Sequence, residues 1–130
     1  MSLFNMFSKS LEEKVSKYFK EKQISLKKQD DKFYFDLYFP EEKYTLTPYY
    51  FIASSNLITF MVNIKKYENI NIDLYNKINE FNLKSEFFKA QIENNLLYLH
   101  YECFIDGNEK DIIGVILTSL NPVSQLINEF

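Results

Sequence analysis

Residues 73–105 constrain the fold of this chain more than any other segment. A short run with apolar residues every three or four positions leads directly into two stretches in which apolar and polar residues alternate. The first spacing indicates an amphipathic helix, and strict alternation indicates a strand with one buried face. Asn94 and Asn95 separate the two stretches, and asparagine tolerates the positive φ of a tight turn. The segment therefore predicts a helix followed by a β-hairpin. Its expected inward residues are Leu74, Ile78 and Phe81, then Phe88, Ala90 and Ile92, then Leu97, Leu99, Tyr101, Cys103 and Ile105.

The first helix is predicted to begin at Ser10. Ser10 and Glu13 have the spacing of a capping box, in which the two side chains satisfy free amides of the first turn. Residues 1–9 are expected to form an N-terminal leader that is either mobile or docked. Leu11, Val15, Tyr18 and Phe19 then form one apolar stripe.

Three strands are predicted between the first and second helices, at residues 33–39, 44–53 and 58–64. The first and third alternate between apolar and polar positions, as in a sheet with one buried face. Pro48 lies inside the second strand and cannot donate to a ladder, which predicts an edge position or a bulge there. Asp30 and Asp31 form the turn before the first strand. We expect a meander.

Asn108, together with Asp111, is predicted to open the last helix. Pro122 should end or kink it. Its apolar residues cover about half of the helical circumference, so it is either wedged between two layers or shared with another subunit. Together these elements predict an α+β fold in the order α-βββ-α-ββ-α. It has one antiparallel sheet, helices packed on one face, and a single domain over residues 1–130.

Composition argues against most site chemistries. All fifteen basic residues are lysine and the net charge is −3, so the chain lacks the arginines suited to nucleic-acid readout. An AT-rich coding sequence would also explain the missing arginines. Gly107 and Gly114 are the only glycines, too few for a phosphate-binding loop. His100 and Cys103 fall on opposite sheet faces, so they do not predict a metal site. We therefore expect no enzyme activity, no cofactor and no metal.

The chain is expected to be cytoplasmic. A single cysteine fits a reducing compartment, the first residues do not have the basic segment of a signal peptide, and no apolar run approaches the length that spans a bilayer. Membrane insertion is therefore not expected.

One segment of the second helix resembles a known family. Residues 74–82 carry Asn76 and Asn79 as an N-x-x-N pair and lead into a hairpin, which resembles the YbjN-like family of bacterial proteins. That resemblance implies a fold like that of type III secretion chaperones, usually dimeric, with no established enzymatic activity. From the residues alone, Asn76 and Asn79 are expected to bond the backbone of the adjoining loop rather than a ligand.

The function expected is therefore binding rather than catalysis. We expect a homodimeric, chaperone-like or regulatory domain that binds another protein or peptide, with no nucleic acid among its partners. A small immunity or antitoxin-like protein that occludes a partner toxin is the alternative. The tyrosines of the predicted surface could equally be strand residues that tolerate water. The predicted partner surface consists of Tyr34, Tyr38, Met61, Tyr98 and His100 on the outer sheet face and Ile113 and Leu117 on the last helix.

Overall fold

The architecture comes from a computed structural model. It describes the backbone of residues 3–41, 43–54, 56–107, 109–126 and 130, and the side chains in these ranges apart from those of residues 3–10, 109, 112 and 121–126. The helices are α1 (Leu3–Glu21), α2 (Ile72–Lys84) and α3 (Glu109–Leu126). The strands are β1 (Lys27–Gln29), β2 (Lys32–Tyr34), β3 (Leu37–Phe39), β4 (Tyr44–Leu46), β5 (Tyr49–Ser54), β6 (Leu57–Lys66), β7 (Lys89–Glu93) and β8 (Leu96–Phe104).

The strands form an antiparallel sheet system, so the fold is mixed α+β as predicted. Six strands pair in the order β1-β2-β5-β6-β8-β7, and β3 pairs with β4 in a separate two-stranded sheet. Among the described residues, six strands rather than three lie between α1 and α2. Two of the predicted strands are each divided in two, and one strand, β1, was not predicted. These differences have separate causes.

The breaks occur inside one long hairpin. One register continues from the β2–β5 pair into the β3–β4 pair, since Phe33 lies opposite Tyr50 and Leu37 lies opposite Leu46. Between them, Phe35 donates its N–H to the carbonyl of Pro48 at 3.1 Å, and Pro48 has no N–H to return. Pro48 therefore interrupts the ladder and divides each predicted strand in two. It does not mark an edge, because β5 lies between β2 and β6.

The additional strand is β1. Asp30 and Asp31 adopt φ values of 52° and 63°, which build a two-residue turn that folds β1 back on β2. The predicted turn is confirmed, but the strand before it was missed because it contains only lysine and glutamine. The turn at Asn94 and Asn95 is also confirmed, with φ values of 52° and 66°.

Two helix boundaries differ from prediction. α1 begins at Leu3, so Ser10 lies inside the helix rather than capping it, and the expected leader of residues 1–9 is largely helical. Extending a helix is favourable once it is nucleated, and the apolar spacing continues N-terminal to Leu11. α3 runs through Pro122 to Leu126, so Pro122 does not end the helix. None of the described helices is long and apolar enough to cross a membrane.

α2 begins directly after Asn71. Asn71 caps it, because its side-chain oxygen accepts a hydrogen bond from the N–H of Leu74 at 3.0 Å. Leu74 and Phe81 are buried beneath the helix.

The core lies between the helices and one face of the sheet, the inner face. The Tyr50 ring stacks on Phe19 of α1 and on Phe33, with ring centroids 5.6 Å and 4.9 Å apart, and the Phe60 ring is tilted against it at 5.4 Å. This aromatic layer accounts for part of the chain's high content of phenylalanine and tyrosine. It also fixes which sheet face points away from the helices. From α3, Ile113, Ile116 and Leu120 are fully buried in this core.

Candidate functional site: the outer sheet face

The candidate site is the sheet face opposite the core, called here the outer face. Strand register places four of its residues directly opposite one another across β2, β5, β6 and β8: Tyr34, Tyr49, Met61 and His100. We call these four the outer row. Lys27 on β1 and Lys89 on β7 extend it to both edges of the sheet. The outer row is therefore a continuous line of large side chains across the central strands.

The aromatic groups of the outer face contact one another. The rings of Tyr34 and Tyr49 are 5.0 Å apart, and the Nζ of Lys32 lies 5.4 Å from the centre of the Tyr49 ring, within the range of a cation–π contact. Tyr98 lies 5.9 Å from the His100 ring. These contacts hold large side chains in place on the surface, so a partner would bind them at a small cost in side-chain entropy.

The outer row lies outside the main core. Tyr34, Met61 and His100 are half-buried, and Tyr49 is 8% exposed, yet none belongs to the core cluster beneath the helices. They are partly covered by one another and by neighbouring strands. A half-buried aromatic surface with polar groups at its rim is typical of protein interfaces.

Two phenols of the outer face, those of Tyr49 and Tyr98, have raised pKa values. Burial, and secondarily Tyr34, raises the pKa of Tyr49. Burial also raises the pKa of Tyr98, with further contributions from Glu93, whose carboxylate accepts a hydrogen bond from the Tyr98 hydroxyl at 3.3 Å. These hydroxyls are therefore hydrogen-bond donors at neutral pH.

The face also has two differently charged sides. Lys27 and Lys32 lie on the β1–β2 side, whereas Glu93 and Glu102 lie on the β7–β8 side, where the Nζ of Lys89 is bound to carbonyl oxygens at the end of α2. A partner segment that crosses the sheet would meet positive charge at one end and negative charge near the other. Such a pattern favours one binding orientation over its reverse.

The structure brings most of the predicted surface together, but not all of it. Tyr34, Met61, Tyr98 and His100 share the outer face as predicted. Tyr38 is 62% exposed but lies in the separate β3–β4 hairpin, beyond the break at Pro48.

The helical part of the predicted surface is corrected. Ile113 has no exposed surface, so its assignment to a partner surface is wrong for this chain. The apolar surface of α3 is wide because α3 packs on α1 as well as on the core. This packing buries the part of the helix that was expected to face a partner. Leu117 is half-buried, and Val115, also on α3, is 45% exposed.

Sequence reasoning missed two members of the outer face. Tyr49 was not assigned to either face, because Pro48 immediately before it obscured the alternation of that strand. Phe104, at the end of β8, is 66% exposed and pairs with Leu57. Its position two residues beyond Glu102 was the available signal, since Tyr98, His100 and Glu102 already marked the outward positions.

The asparagines of α2 have different roles from those expected. Asn76 and Asn79 are exposed on the helix surface. Asn82, one helical turn further on, makes the predicted kind of contact, since its side chain bonds both main-chain groups of Ala90 in β7. Asn82 therefore connects the end of α2 to strand β7.

Other parts of the described chain offer little chemistry. No group of three or more histidine, cysteine or acidic side chains in this part could hold a metal ion. Burial raises the pKa of Cys103 to about 11, which keeps this thiol protonated and unreactive at neutral pH.

Two open grooves flank the helices. One, of about 710 Å³, lies between α3 and the α2–β7 connection, and the other, of about 570 Å³, lies between α1 and β1–β2. Apolar surface is also exposed on α2 at Ile72, Tyr75 and Leu83.

Comparison with known proteins adds no relative to this description. No sequence model of a known protein family matches the chain, and none of the curated proteins matches it.

Proposed function

We propose that this chain is a non-enzymatic protein-binding domain, chaperone-like or regulatory in role, and that its outer face is the surface that binds the partner. The observation that carries the proposal is the outer row of Tyr34, Tyr49, Met61 and His100, aligned by register and excluded from the core. A rigid aromatic surface with charged residues at its sides suits a protein or peptide partner better than it suits catalysis.

The resemblance to YbjN-like proteins belongs to the same proposal. It implies a fold of the secretion-chaperone type, and an antiparallel sheet with helices on one face is what such a fold requires. A location in the cytoplasm is part of the proposal as well, and the free thiol of Cys103 is compatible with it.

A homodimer is the remaining part of the proposal. Among the α3 side chains that the structure describes, Val115 and part of Leu117 are apolar and exposed to a second copy. Light scattering on the purified chain over a range of concentrations tests this part separately. A mass that stays at that of one chain at every concentration would remove the homodimer without affecting the binding surface.

The experiment that tests the binding surface is site-specific photo-crosslinking in the native cells. A photoreactive amino acid replaces Tyr34, Met61 or Tyr98 on the outer face, and in matched controls Lys17 on α1 or Tyr75 on α2. We expect the three outer-face positions to yield the same covalent adduct, and the controls to lack it. Adducts that form equally at Lys17, or only at Tyr75, would place the binding surface elsewhere and contradict the proposal.

A further inference from the structure

Asn82 contacts the edge strand β7 in the way a neighbouring strand would. Its Nδ2 donates to the carbonyl oxygen of Ala90 at 3.1 Å, and the N–H of Ala90 donates to its Oδ1 at 2.6 Å. A side-chain amide carries the same donor and acceptor as a peptide group. Because both main-chain groups of Ala90 bind Asn82, they point away from β8 and toward the free edge of the sheet.

A second pair of contacts fixes this arrangement. The Nζ of Lys89 donates to the carbonyl oxygens of Asn82 at 2.8 Å and Ser85 at 2.6 Å. Carbonyls at the end of a helix lack partners within the helix, and a positive charge is favourable there. α2 binds β7 through Asn82, and β7 binds α2 through Lys89. The amide of Asn82 is therefore held at the strand edge.

The two edges of the sheet are protected differently. β1 has three exposed residues, two of them lysines, and short lysine-bearing edges resist pairing with other chains. β7 is longer, and its only lysine, Lys89, is engaged at the end of α2. Without Asn82, both main-chain groups of Ala90 would lose the partner that Asn82 gives them at this edge.

The partner that fits this edge is a second copy of β7. By alternation, Ala90 and Ile92 are the two β7 residues whose main-chain groups face the edge. An antiparallel pair centred on Gln91 would place Ala90 of one copy opposite Ile92 of the other, and the same contact would repeat by two-fold symmetry. The register of such a pair is symmetric, so one open edge is enough to make a closed dimer.

We propose that Asn82 is an edge cap, whose amide occupies the hydrogen-bonding positions through which β7 would otherwise pair with β7 of a second copy. This role does not depend on what the outer face binds. The edge cap closes one route of association and leaves the sheet face as the accessible surface.

Asn82→Ala tests the proposal, with Asn79→Ala, an exposed asparagine on the same helix, as the matched control. We expect the amide of Ala90 to exchange with solvent at least about ten-fold faster in dilute Asn82→Ala, since a hydrogen bond is lost. We also expect species larger than those of the wild type as the concentration rises, with renewed protection of Ala90 in them. Asn79→Ala should match the wild type in both measurements.

Two results would overturn the edge cap. One is an Ala90 amide that stays as protected in Asn82→Ala as in the wild type. The other is fast exchange at Ala90 with no larger species at the highest soluble concentration. If circular dichroism shows that Asn82→Ala does not fold, Asn82→Ser decides by the same criterion of association, because its shorter side chain stays polar but cannot bond both main-chain groups of Ala90.

Discussion

Phe35 donates its backbone N–H to the carbonyl of Pro48 over 3.1 Å, and the opposite bond of this residue pair is missing because proline has no N–H. A hydrogen bond between the side chains of Thr47 and Asp36, 2.9 Å long, lies at the next pair along the same hairpin. Pro48 thus determines where the hairpin leaves the six-stranded sheet and continues as the two-stranded β3–β4 sheet.

Pro48→Ala should restore the missing bond. The new amide at position 48 is expected to donate to the Phe35 carbonyl and to exchange slowly with solvent by NMR. The free energy of unfolding should change by less than about 1 kcal/mol, because a gained hydrogen bond is offset by the larger entropy of the unfolded chain without proline. A freely exchanging amide at position 48 would show that the break has another cause.

Phe19→Ala should strongly destabilise the fold. The Phe19 ring is fully buried and lies 4.9 Å from the Phe35 ring and 5.6 Å from the Tyr50 ring. Truncation leaves a cavity in this layer, and we expect a loss of about 3–5 kcal/mol in urea unfolding. Tyr75→Ala, at an exposed position on α2, should change stability by less than about 0.5 kcal/mol. Equal losses in the two variants would contradict the assignment of Phe19 to the core.

Tyr50→Phe should not destabilise the protein. The Tyr50 hydroxyl is buried close to Ser16 and Glu12 of α1, and burial raises its pKa, but it makes no hydrogen bond of suitable geometry with the described residues. Removing an unsatisfied buried hydroxyl should raise the free energy of unfolding by about 1 kcal/mol. A loss of similar size in chemical denaturation, shared by Ser16→Ala, would show that Ser16 is its hydrogen-bond partner.

Cys103 should make the fold sensitive to alkaline pH. Burial raises its pKa from 9.0 to about 11, so the folded state favours the neutral thiol. Below pH 9 this contribution to stability is complete; above it the unfolded thiol ionises first, and the contribution is lost as pH rises through about 11. The slope approaches about 1.4 kcal/mol per pH unit between these values. Cys103→Ala should show a shallower decline in unfolding free energy, whereas parallel declines would contradict the shifted pKa.

The parts of the fold that sequence predicted correctly are those with a strong local signal. α2 has apolar residues every three or four positions, β7 and β8 alternate without interruption, and Asn94 and Asn95 tolerate the positive φ of a tight turn. Each feature is set by residues close together in the chain. The prediction of an antiparallel α+β fold rested on these segments.

The parts that sequence missed depend on distant residues. The break at Pro48 becomes visible only once Phe35 is known to pair with it. Ile113 has apolar neighbours in the sequence of α3. Whether this apolar side of the helix faces a second subunit or α1 depends on the packing of the helices. The alignment of Tyr49 with Met61 and His100 is likewise a matter of strand register, which local pattern does not specify across a long connection.

The central claim, that the outer face binds a protein partner, is tested most directly at Met61. This residue lies within the outer row, between Tyr49 and His100, so its methyl group reports on that surface. In protein labelled with ¹³C at the methionine methyls, addition of the partner captured by crosslinking should shift or broaden the Met61 signal. The variant Met61→Glu should bind this partner at least ten-fold more weakly, equivalent to about 1.4 kcal/mol. Tight binding that leaves the Met61 methyl signal unchanged would contradict the account.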